Sequence, residues 1–146
     1  MKNLFLTVLF TLVSVFSFSQ QISVQVTELK DFVSNDSLSP SKIMKVATFD
    51  ADIRTVDGSY FFDLDAKTVS FKTRKTSDGL AKINSSTEKN GVYTIVIEEL
   101  NGVGNKMYIT MVVDTVKNKV FFTYYDPINK YTLAQDFIKP VIKVSK

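Results

Sequence analysis

The sequence predicts an all-β fold. We expect an antiparallel meander of about seven to nine strands, closed as a small barrel or folded into a two-sheet sandwich, with at most one or two short helices. Three observations predict it. Apolar residues recur with a period of two in one segment after another, as in Ile22, Val24, Val26 and in Val92-Tyr93-Thr94-Ile95-Val96-Ile97. Short clusters of Asp, Asn, Gly and Ser separate those segments at hairpin spacing. The chain of 146 residues has no Cys, His or Trp, so packing and sheet hydrogen bonds must hold it together without disulfides.

Residues 1–19 stand apart from this pattern. Met1-Lys2-Asn3 is a short, positively charged start. Leu4 to Phe18 then runs without a charge, and Ser17 and Ser19 place small residues two apart before Gln20. That order is the secretory signal pattern, with cleavage expected after Ser19. A transmembrane anchor is the competing reading, but the apolar run is shorter than the roughly 20 residues a span needs. With no cysteine to carry a lipid, the expectation is a secreted or periplasmic protein whose residues 20–146 form one β domain without a membrane segment.

Within that domain, Gln21 to Val26 reads as a first strand. Thr27 to Val33 reads as one helical turn, with Leu29, Phe32 and Val33 on one side, and the polar stretch 34–41 as a loop. A long strand is expected from Ile43 to Val56, with a bulge near Val46 where the apolar phase changes. Asp57-Gly58 is read as a two-residue hairpin turn, followed by strands Tyr60 to Asp65 and Val69 to Arg74 around a turn at Ala66-Lys67. Lys75 to Gly79 reads as a turn or loop, Leu80 to Asn84 as a weak edge strand, and Ser85 to Gly91 as a second polar loop. Val92 to Leu100 is a strong strand. Met107 to Asp114 and Val120 to Tyr125 form a hairpin around Lys117-Asn118. Tyr131 to Ile138 fits a helix or an edge strand, and Val141 to Val144 a last strand. The segments Ala66 to Phe71 and Lys117 to Phe122 echo each other, each a turn followed by an aromatic strand.

The expected Asp57-Gly58 hairpin fixes a register that sets Asp52 opposite Asp63 and Asp50 opposite Asp65, and pairs Phe62 with Phe71 and Leu64 with Val69. Ala51, Ile53, Phe62, Leu64, Val69 and Phe71 then share the buried face, and four aspartates form a block on the other. Like charges directly opposite each other destabilise a sheet. A bound cation would offset them, and calcium suits an all-oxygen site outside the cell. The plainer reading is that Arg54, Lys72 and Lys45 neutralise the patch. Asp50-x-Asp52 is not an EF-hand loop, because Arg54 takes the next ligand position. On the second hairpin, pairing Val113 with Phe122 and Met111 with Tyr124 inside puts Tyr108, Phe121 and Tyr125 outside, a candidate surface for a ligand or partner protein unless another segment covers it.

Several chemistries are excluded. Without His there is no Ser-His-Asp or Cys-His catalysis and no usual zinc, copper or haem ligand set. Glu98 and Glu99 are adjacent on a strand, point to opposite faces and cannot act as a catalytic pair. Asp52 and Asp63 on a flat face offer no cleft for glycoside hydrolysis. The net charge of +3, one unit of it from Lys2, is too weak and mixed for nucleic acid. Small barrels of the lipocalin kind are similar in size and strand count, a likeness of architecture alone. The expectation is a non-enzymatic exported domain that binds a small apolar ligand or a partner protein. The alternative is a structural or envelope-associated interaction protein with a filled core, with calcium as a candidate stabiliser.

Overall fold

The computed structural model describes residues 19–34, 53–73, 76–100, 104–126 and 131–145, and every regular element among them is a strand. The strands are β1 (Gln21–Ser34), β2 (Ile53–Asp63), β3 (Thr68–Thr73), β4 (Thr76–Lys89), β5 (Val92–Leu100), β6 (Lys106–Asp114), β7 (Lys119–Asp126), β8 (Tyr131–Ile138) and β9 (Val141–Ser145). Each strand from β2 to β7 pairs with the next in sequence, and β1 pairs with both β8 and β2. The meander of eight strands therefore closes into a barrel, with β9 as an extra strand. Closure removes the open edges that an eight-stranded sheet would otherwise present. Among the described residues no helix is long and apolar enough to cross a membrane.

β8 and β9 lie along β1 in a single register, with Glu28 opposite Ile138 and Gln25 opposite Val141. Lys139 at φ 48 and Pro140 interrupt the strand between them. Proline has no N–H to give the ladder, so the break falls there.

Three expectations are corrected. Residues 27–33 are strand, not a helical turn. The register of β1 on β2 shifts between Val26 and Glu28. The bulge moves the inward phase from Ile22, Val24 and Val26 to Leu29, and this spacing of three imitates a helix. Asp57-Gly58 is not a hairpin turn: β2 runs through it, with Gly58 opposite Val26 at that same bulge. Ser85 to Gly91 is not a loop. β4 continues to Lys89, and the hairpin turn is Asn90-Gly91, both at positive φ (54 and 78). Residues 84–90 are exposed on both faces, so no alternation marked the strand in the sequence.

The other two hairpins turn over four residues, 64–67 and 115–118, rather than two. Observed partners are Phe62 with Val69 and Tyr60 with Phe71, and Met111 with Phe122 and Val113 with Val120. Each register is two residues from the expected one. An even shift keeps every side chain on its expected face, so Phe62 and Val69, or Met111 and Val113, are buried as anticipated. Ile53 is the exception: it pairs with Lys30 beyond the bulge and is 55% exposed. The two turns explain the sequence echo. Each opens on an aspartate that accepts backbone N–H groups of the turn, Asp63 from Ala66 at 2.8 Å and Asp114 from Val116 and Lys117 at 3.1 and 2.8 Å. Each closes on a residue at positive φ, Lys67 or Asn118. Tyr131 to Ile138, ambiguous in sequence, is a strand paired on both sides by β7 and β1.

Candidate functional site

The barrel interior divides along its axis. The half beside the turns 64–67, 90–91 and 115–118 is solid. Ile22, Val24, Phe62, Ile95, Met111, Val113 and Val120 have no exposed surface there. Gln20 donates its side-chain amide to the Tyr93 hydroxyl at 3.0 Å, from the start of β1 to β5 on the opposite side of the eight-stranded ring. In the far half several inward side chains are only half-buried, among them Val56, Tyr60, Phe71, Met107, Tyr124 and Leu133, while Val26 and Leu29 are buried. The rings of Tyr60 and Phe71 stand 6.4 Å apart, and Tyr60 stacks on Phe137 at 5.8 Å.

Polar groups converge on this far half. Asp31 accepts the Gln135 side-chain amide at 2.8 Å and pairs with Arg54 at 2.9 Å. Glu99 follows Tyr93, Ile95 and Ile97 on the inward phase of β5 and is half-buried. Burial pushes its carboxyl above the usual range. The Tyr60 hydroxyl is raised too, first by burial and then by the Glu99 charge. Glu98, on the outer face, shows the opposite behaviour. Lys106 at 2.8 Å holds it below the usual range, and its cross-strand partner Lys82 adds to the effect.

The wall opens beside Glu99. β4 pairs with β3 up to Lys82 and with β5 only from Lys82 onward. Gly79, Leu80 and Ala81 thus have no partner on β5, and a cleft of about 560 Å³ lies there, lined by Phe71, Gly79, Leu80, Ala81, Lys82, Glu98 and Glu99, with Thr68. A Cβ on Gly79 would overlap the Phe71 ring, so any side chain there displaces that ring. A second hollow of about 530 Å³ lies at the turn end between β9 and Glu88, Gly91 and Thr115.

The expected site residues fall elsewhere. Asp63 pairs with Gln21 on β1 and Thr68 on β3, so the register that set it against Asp52 does not form. Asp50 and Asp52 lie outside the described residues. Asp63 is occupied by the chain itself. The Ala66 N–H and then the Ser19 hydroxyl at 2.8 Å hold its carboxyl below the usual range, with Gln21 contributing. Asp65 accepts the Gln20 N–H at 3.1 Å. Among the described residues no three His, Cys, Asp or Glu side chains cluster as metal ligands would. Tyr108, Phe121 and Tyr125 do point outward, but unequally: Tyr108 is 49% and Tyr125 39% exposed, whereas Phe121 is 4% exposed. The segment 131–138 does not lie over them, since it is the neighbouring strand of the same sheet.

Glu99 is the residue that sequence reasoning passed over. The signal was present: a carboxylate on the same phase as Tyr93, Ile95 and Ile97 is a charge on a buried face. Comparison with protein-family models, with curated proteins and with solved structures finds no match to this chain.

Proposed function

We propose that this protein is an exported, non-enzymatic binding domain that takes a small apolar ligand into the far half of its barrel. One observation carries the reading: where β4 parts from β5 a cleft of about 560 Å³ is lined by Phe71, Gly79, Leu80, Ala81 and Glu99, in the half of the barrel where several inward apolar side chains are half-buried. Binding sites of this kind are mostly apolar concavities with a few placed polar groups, and Glu99, with Thr68 and Lys82, supplies the latter. Support for export comes from the order of charge, apolar run and small residues in 1–19.

The test is titration of the chain starting at Gln20 with N-phenyl-1-naphthylamine, a neutral apolar fluorophore. Saturable fluorescence enhancement is expected, and Leu80→Trp, at an exposed position of the cleft wall, weakens it while leaving the melting curve intact. Absence of saturable binding overturns the reading. It then favours the structural role, for which the solid packing of the turn half speaks. In that case Tyr108 and Tyr125 remain as a partner surface. N-terminal sequencing of exported protein is expected to begin at Gln20.

A further inference from the structure

We propose that the ligand is an organic cation, an apolar amine whose ammonium group pairs with Glu99 and whose chain lies against Phe71. The proposal rests on the binding role given above and specifies its chemistry. Glu99 is the fourth member of the inward row of β5, after Tyr93, Ile95 and Ile97, and it lines the cleft where the wall opens between β4 and β5. Among the described residues Lys82 is the one cation that lines the cleft with Glu99, and it acts on Glu98. Arg54 is held by Asp31 at 2.9 Å at the mouth. Lys106 and Lys82 flank Glu98, on the opposite face of β5. Among the described residues Glu99 has neither a hydrogen-bond partner nor an ion-pair partner.

A half-buried carboxylate without a partner is a cost to folding that a bound cation removes. The surrounding surface suits the same ligand. Ring faces attract ammonium groups, and the Phe71 ring lines the cleft with Glu99. The Tyr60 hydroxyl lies within reach of the Glu99 charge. A fatty acid of the same length would bring a like charge to Glu99 and meet repulsion instead.

Displacement of N-phenyl-1-naphthylamine from the chain starting at Gln20 tests this, with decylamine, 1-decanol and decanoate as competitors below their aggregation limits. Decylamine is expected to displace the probe at concentrations about tenfold below those of 1-decanol, and decanoate is expected to be weakest. Glu99→Gln brings decylamine and 1-decanol together, and Glu99→Asp retains an amine preference, which separates loss of charge from loss of fold. Equal or stronger displacement by decanoate, or an amine preference unchanged in Glu99→Gln, overturns the cation assignment while leaving the binding role standing. Failure of the probe itself to bind removes both.

Discussion

At the turn end of the barrel, alternating apolar residues of β1, β2, β5, β6 and β7 meet and exclude water; at the far end the same alternation leaves several of its inward side chains half-buried. The strands are equally regular in both places, so the difference does not lie in local propensity. It lies in the spacing of the wall. At the turn end, two- and four-residue turns hold neighbouring strands in full register, and hydrogen bonds between turns tie one hairpin to the next: Thr115 N–H to the Gly91 carbonyl at 3.0 Å, Ile83 N–H to the Lys67 carbonyl at 2.8 Å. At the far end β4 parts from β5, and polar residues replace apolar ones on the inward phase. A β-barrel can therefore be closely packed along half its axis and more open along the rest.

The largest test of that contrast is by truncation. Phe62→Ala should cost about 3–5 kcal/mol and Ile95→Ala about 2–5 kcal/mol, because each leaves a cavity in a closed core. Leu133→Ala and Val56→Ala in the far half should cost less than about 1.5 kcal/mol, since solvent already reaches those side chains. Urea melts check both, and equal losses in the two halves would erase the distinction. Next in size is Gly91→Val. Gly91 stands at φ 78 and a Cβ there meets Val116 Cγ2 at 2.8 Å, so a loss of about 1–3 kcal/mol is expected. Gly79→Ala sharpens the comparison from the other side: it should displace the Phe71 ring and weaken probe binding several-fold, with a smaller effect on the melting temperature.

The pH response should have opposite signs at the two ends. Glu99 has a raised carboxyl, so the folded state holds its proton more tightly than the unfolded state. Its contribution to stability therefore falls as pH rises above the ordinary value of 4.5. Glu99→Gln should remove that decline and make the protein slightly more stable at neutral pH. Asp63 has a lowered carboxyl, so its contribution is present at neutral pH and is lost as the medium is acidified below the ordinary value of 3.8. Asp63→Asn should flatten the acid limb of a stability–pH profile, and unfolding measured across pH 2–8 separates the two. The smallest effect concerns the new N-terminus. Cleavage after Ser19 would turn the Gln20 nitrogen, 3.1 Å from Asp65, into an ammonium. Asp65→Asn should then lower the melting temperature by about 1–3 °C in the chain starting at Gln20.

The sequence by itself determined the fold class and which side chains face inward. Period-two alternation sets a face residue by residue, and the even errors in hairpin register left those faces unchanged, as Phe62, Val69, Met111 and Val113 demonstrate. It also determined the aspartate-opened turns that the echo between 66–71 and 117–122 reflects. Only the tertiary structure decided the rest. Asp57-Gly58 carries the local preference for a tight turn, yet non-local pairing with β1 keeps it extended, because strand pairing along the whole of β2 outweighs one turn. The bulge after Val26 resembled a helical turn because a phase slip in a strand and a helical period both bring apolar residues three apart. The Asn90-Gly91 turn was hidden because β4 there has no buried face to reveal it. The place of Glu99 in the cleft depends on where β4 parts from β5, and that point is set by how eight strands close around a ring, a condition that no local stretch of sequence contains.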